Sequence, residues 1–141
     1  MRISATSLLM TLCIGTMGVL VSVSAHAQNR TIRGSDTVAL RSGESEELAE
    51  LYYQRNCVSL LNKPPQVEIV QGPPGVTAEV KDAMVLPREF KCPNPIKGVK
   101  LFIAAKTIED PSYSTLILRI TYDTREGERK QSETINLYLV P

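Results

Sequence analysis

The sequence contains no tryptophan and a single histidine, His26, and only 5% of its residues are aromatic. The commonest general base and the commonest transition-metal ligand therefore occur once, so histidine chemistry rests on the fate of His26. Cysteine is scarce as well: Cys13, Cys57 and Cys92 are the 3 present, and no two show Cys-x-x-Cys spacing. The usual dithiol redox motif and paired-cysteine zinc motifs are thereby excluded. No Ser-x-x-Lys spacing follows the N-terminal leader, which removes the signature of that nucleophile pair. An excess of one charge is missing too, with 16 basic residues against 15 acidic ones. Neither nucleic acid nor an anionic membrane is suggested as a partner, because both select a basic surplus.

What is present begins with a secretory leader. Arg2 supplies a positive start, Ser7 to Val23 form an apolar run, and Ala25-His26-Ala27 gives the small-x-small pattern cut by signal peptidase. A transmembrane anchor fits less well, since Gly15 and Gly18 interrupt the run and no stop-transfer cluster follows it. Cys13 follows the bulky Leu12 inside the run, which is not the setting of a lipid-attachment cysteine. The expected layout is a signal peptide over 1–27, a loose polar lead-in over 28–35 and one domain over 36–141. That places the protein in the periplasm or outside the cell, with no membrane insertion after cleavage. Cleavage removes His26, Cys13 and Arg2, so the remaining chain is formally neutral and carries two cysteines.

In an oxidising compartment Cys57 and Cys92 are expected to form a disulfide. Such a bridge closes a loop of about 36 residues, for which the chain-entropy model gives on the order of 4 kcal/mol. A redox-active pair is the alternative, disfavoured by the wide spacing and by Pro93 directly after Cys92.

The rest of the chain alternates with a period of two. Leu116, Leu118, Ile120 and Tyr122 share one parity, and Ile135, Leu137 and Leu139 share another run, with Gly127 in the charged turn between them. Two such runs around a glycine-containing turn predict a β-hairpin. Val99, Leu101, Ile103 and Ala105 predict a further strand, as do Gln66 to Val70 and Val76 to Val80, while Val38 and Leu40 precede a turn at Ser42-Gly43. Gly72-Pro73-Pro74-Gly75 must be a turn or a switch between sheets, since adjacent prolines donate no ladder hydrogen bonds. Met84 to Phe90 is expected as a short strand that Pro87 confines to an edge or a bulge. Ser45 to Cys57 carries two signals. Leu48, Leu51, Tyr52 and Arg55 have helical spacing, whereas Tyr52-Tyr53 and the surrounding order favour a strand, which is the reading adopted.

The stretch from Thr37 to Glu44 and the hairpin from Leu116 to Leu139 resemble the first strand and the last two strands of immunoglobulin-like domains in exported bacterial proteins. The resemblance implies an all-β fold, an immunoglobulin-like antiparallel β-sandwich of about seven or eight strands, here with one disulfide. No tryptophan is available to pack on the bridge, and neither cysteine shares a strand with Tyr122. The bridge is thus not the inter-sheet one of antibody domains.

No catalytic residues, metal ligands or cofactor are expected. Glu44, Glu46, Glu47 and Glu50 cluster, but no calcium-loop pattern accompanies them, and a solvated acidic surface is the simpler reading. The candidate binding residues are Pro73 and Pro74, a stiffened loop, and Tyr52 and Tyr53, of which a strand can turn only one inward. The expected function is a non-enzymatic envelope module that binds another protein or acts as a structural accessory. The alternatives are a secreted inhibitor of a hydrolase, using the proline-stiffened loop, and a small enzyme with a carboxylate or Ser-Lys site.

Overall fold

The computed structural model describes Gln28–Asn29 and residues 37–141. The leader over 1–27 and its cleavage site lie outside the described residues, as do positions 30–36. The strands are β1 (Gln28–Asn29), β2 (Val38–Arg41), β3 (Ser45–Leu51), β4 (Tyr53–Arg55), β5 (Val58–Ser59), β6 (Gln66–Gln71), β7 (Val76–Val85), β8 (Ile96–Ala105), β9 (Ser112–Thr124) and β10 (Gly127–Val140). Among the described residues one 3₁₀ turn, Arg88–Phe90, interrupts them. No α-helix occurs among the described residues, and none of their helices is long and apolar enough to cross a membrane.

Two sheets face each other, one of four strands in the order β2-β10-β9-β6 and one of three in the order β3-β8-β7. This is an all-β sandwich. Among the described residues the paired strands run antiparallel except β2 with β10, which is parallel with Leu40 opposite Leu139, and a lone parallel bridge joins Ser42 to Ala105. The alternating side chains of the sequence close the core: Leu116, Leu118, Ile120 and Tyr122 of β9 and Ile135, Leu137 and Leu139 of β10 meet Val99, Leu101, Ile103 and Ala105 of β8. The β9–β10 hairpin turns through Arg125-Glu126, and Gly127 takes φ +104°, a conformation that only glycine adopts without strain.

Two of the passages between the facing sheets are short turns, β2 to β3 and β6 to β7. The Ser42 N–H donates to the Val140 carbonyl at 3.0 Å, and the next N–H, of Gly43, donates to Ala105 in the other sheet at 2.9 Å. Gly72-Pro73-Pro74-Gly75 makes the second passage, from β6 to β7, and is both turn and switch. The Val76 N–H reaches the Pro73 carbonyl at 3.4 Å, and Gly75 has φ +80°, with proline then glycine at the central positions of a type II turn.

Ser45 to Arg55 is extended, as β3 and β4 with a break at Tyr52, and Asn56 and Cys57 form the turn that follows. Its helical spacing has a local cause. The register with β8 shifts between Glu47 and Ala49, and this bulge turns Leu48 and Ala49 inward together. Met84 to Phe90 is not the separate strand expected. Met84 and Val85 end β7, and Arg88–Phe90 form the 3₁₀ turn, because Pro87 has no N–H with which to continue the ladder. Gln28 and Asn29, expected in a loose lead-in, pair with Gln54 and Tyr53 instead.

At one end the three-stranded sheet is buried on both faces. Tyr52, Val85 and Ile96 form a second apolar cluster on its outer side, joined by Phe90. The Cys57–Cys92 disulfide, with Cα atoms 5.5 Å apart, ties the β4–β5 hairpin to the 3₁₀ turn over this cluster. It does not link the two facing sheets.

Candidate functional site: a cleft at the open end of the sandwich

The same strands that fill the core carry polar residues where they leave it. Lys97 shares a face of β8 with Val99 and Leu101, and Asp82 and Met84 share a face of β7 with Ala78 and Val80. Beyond Val80 and Val99 the inner face of this sheet thus changes from aliphatic to Asp82, Met84 and Lys97. Leu61, Asn62, Lys63 and Pro64 form the opposite wall, and the cleft between them holds about 490 Å³. Met84 is 61% exposed.

The wall from Leu61 to Pro64 is irregular chain held by specific bonds. Leu61 makes an isolated bridge with Thr124, and the Asn62 N–H donates to the Asp123 carbonyl at 2.9 Å. The Asn62 amide donates to Asp123 Oδ1 at 2.9 Å, and Lys63 Nζ lies 3.0 Å from Asp123 Oδ2. Hydrogen bonds from Asn62 and then Lys63 hold the Asp123 carboxyl below its ordinary pKa, against a smaller opposing effect of desolvation. The floor is fixed by Ser59, whose hydroxyl donates to the carbonyl of Lys97 at 2.9 Å. That hydroxyl is used on backbone and does not address the lysine amine.

Chemically, the cleft offers apolar surface from Leu61, Met84 and Pro64 beside two ammonium groups and one carboxylate. Among the described residues no group of three or more His, Cys, Asp or Glu side chains is placed to hold a metal ion. In the acidic cluster Glu47 is engaged, accepting from Lys100 Nζ at 2.8 Å, and this contact raises the Lys100 pKa.

The candidate residues read from the sequence are not gathered at this cleft. Cys57 and Cys92 are bridged behind it. Pro74 is exposed and Pro73 half-buried, but they precede Val76, at the far end of β7 from Met84 and roughly 25 Å away by strand rise. Tyr52 is only 3% exposed, packed edge-on against Phe90 at 6.5 Å. Tyr53 is half-buried against the main core, 5.6 Å from the Tyr122 ring. The expectation that the outward one of these tyrosines is exposed fails for a physical reason. Tyr52 and Tyr53 do turn to opposite faces, but the outer face is covered here by Val85, Ile96 and Phe90, so the outward ring of Tyr52 is buried as well. The residues missed were Leu61 to Pro64, Asp82, Met84 and Lys97. The available signal was the polar interruption of an apolar parity at Asp82 and Lys97.

Neither a protein-family model nor a curated protein nor a solved structure matches this chain.

Proposed function

We propose that this chain is an exported, non-enzymatic module of the bacterial envelope, an immunoglobulin-like sandwich working in the periplasm or outside the cell. It binds another protein, or joins an assembly as a structural accessory, by taking a side chain of its partner into the cleft at Met84. The observation that carries this reading is the exposed Met84 set between Leu61 and Pro64, with Lys63, Lys97 and Asp82 around it. An adaptable thioether on an apolar floor with a charged surround suits an anchor residue of a polypeptide. The turn at Pro73 and Pro74 lends less support to an inhibitor of hydrolases. The Pro73 and Gly75 carbonyls already accept hydrogen bonds from Val76 and Lys106, so that backbone is committed to the fold.

Photo-crosslinking tests the proposal. A photoreactive amino acid replaces Met84 in one variant and the remote, 78% exposed Tyr113 in another, each expressed at native level. A discrete adduct from an envelope fraction at position 84, absent at position 113, is the expected result. The same adducts from both positions, or none from position 84, would contradict it.

A further inference from the structure

Sandwich sheets end in edge strands, and three of the four here are blunted. β2 has only 4 residues, β3 shifts register between Glu47 and Ala49, and β6 shifts between Ile69 and Gln71. Short strands and bulges are the usual means of preventing edge-to-edge pairing. β7 has neither. Its 10 residues keep unbroken register with β8 from Val76 opposite Ala105 to Val85 opposite Ile96. No proline lies within it, and among the described residues no strand pairs with its outer edge.

Charges on an edge normally repel a second copy, but those of β7 are arranged in mirror order. Glu79 and Lys81 flank Val80, point to the same side of the strand and lie 3.9 Å apart within one chain. In an antiparallel pairing of two β7 strands about a two-fold axis at Val80, each residue faces its mirror position. Glu79 then meets Lys81 of the second copy, and Lys81 meets its Glu79. On the other face Val80 meets Val80, and the exposed Met84 meets Val76. Opposite charges facing each other across strands are favourable, as are apolar pairs, and a two-fold contact must be self-complementary in this manner.

We infer that β7 is the dimerisation edge of this protein, pairing antiparallel with β7 of a second copy about Val80 to make one continuous six-stranded sheet. The contact borders the cleft at Met84, so it is tested at Thr77, Glu79, Val80 and Lys81, which do not line the cleft.

Sedimentation equilibrium at low salt, on protein purified from cells expressing the full chain, provides the test. The unaltered protein sediments as a dimer. Glu79→Lys sets lysines opposite one another twice by symmetry and weakens the dimer roughly tenfold or more. Glu79→Lys combined with Lys81→Glu rebuilds both cross-axis pairs and restores association to within about threefold. Oxidative crosslinking supplies a second readout for variants that fold poorly. Val80→Cys links to itself across the axis, whereas Thr77→Cys does not, because its two copies stand roughly 20 Å apart. A monomer at every concentration, a dimer indifferent to Glu79→Lys, or a double variant no better than the single one would overturn the inference. So would crosslinking at Thr77→Cys without crosslinking at Val80→Cys.

Discussion

Gly98 lies so near Val85 that a Cβ at Gly98 would stand 2.1 Å from the Val85 Cγ2 atom. The Leu51 carbonyl oxygen would be 2.6 Å away and Tyr52 Cβ 3.3 Å away. Only the absence of a side chain lets the β3–β4 break lie flat on the outer face of β8, where Tyr52 seals the second apolar cluster. Val85 is fully buried and the Leu51 oxygen belongs to backbone, so neither can yield cheaply. Gly98→Ala is therefore expected to cost about 3 kcal/mol, as overpacking at a rigid site does. The midpoint of urea denaturation checks this, and an unchanged midpoint would show that the sheet relaxes.

Cys57 is a non-glycine residue at φ +62°, following Asn56 at φ +51°. Two successive left-handed residues make the tight β4–β5 turn, a conformation costing roughly 1–2 kcal/mol for a residue with a Cβ. The disulfide holds Cys57 there. Removing the bridge as Cys57→Ser with Cys92→Ser is expected to cost about 2–5 kcal/mol. Cys57→Gly with Cys92→Ser should be about 1 kcal/mol more stable than the serine pair, since glycine accepts the same φ without strain. Denaturant titration of both pairs decides it.

Asp123 joins the cleft wall to the end of β9, and its pKa is lowered by Asn62 and Lys63 from an ordinary value of 3.8. A carboxyl with a depressed folded pKa contributes stability above its unfolded pKa and loses it as pH falls through the folded value. The unaltered protein should thus lose stability over the range below about pH 4 more steeply than Asp123→Asn. The difference is small because the group is at the surface. Thermal unfolding between neutral and strongly acid pH measures it, and parallel curves for the two proteins would refute the coupling.

Gly75 sits at φ +80° with open space where a Cβ would lie. Gly75→Ala is therefore strained by backbone conformation alone, and a loss of about 1 kcal/mol is expected. Gly72 contrasts with it, because there a Cβ would approach Leu116 Cδ1 to 2.7 Å. The end of a flexible side chain can shift, so Gly72→Ala should be repacked at lower cost than Gly98→Ala. Comparing denaturation midpoints of the three alanine variants tests the ranking.

The strands carrying the core were readable because each buries one face. Leu116 to Tyr122 and Val99 to Ala105 announce themselves by alternation, with Ile117 the exception in the first, and the glycine of the β9–β10 turn was legible beside them. Alternation failed wherever the backbone departs from it. The bulge at Leu48 imitates a helical period, and Tyr52 turns outward as parity requires but is buried by the second apolar cluster, which no local pattern announces. The cleft was harder still. Asp82 and Lys97 read as ordinary surface residues until pairing of Met84 with Lys97 and the anchoring of Asn62 on Asp123 bring distant segments to one place. Such long-range proximity is a property of topology, which a local pattern does not carry.

The account depends on an exported chain whose Cys57 and Cys92 are joined while its sheets close the core. Intact-mass analysis of the purified protein, with thiol alkylation before and after reduction, tests this most directly. The predicted result is a chain beginning at Gln28 that takes no alkyl group until reduction, then gains two hydrogens and accepts label at both cysteines. A retained leader, or label at Cys57 and Cys92 without reduction, would contradict it.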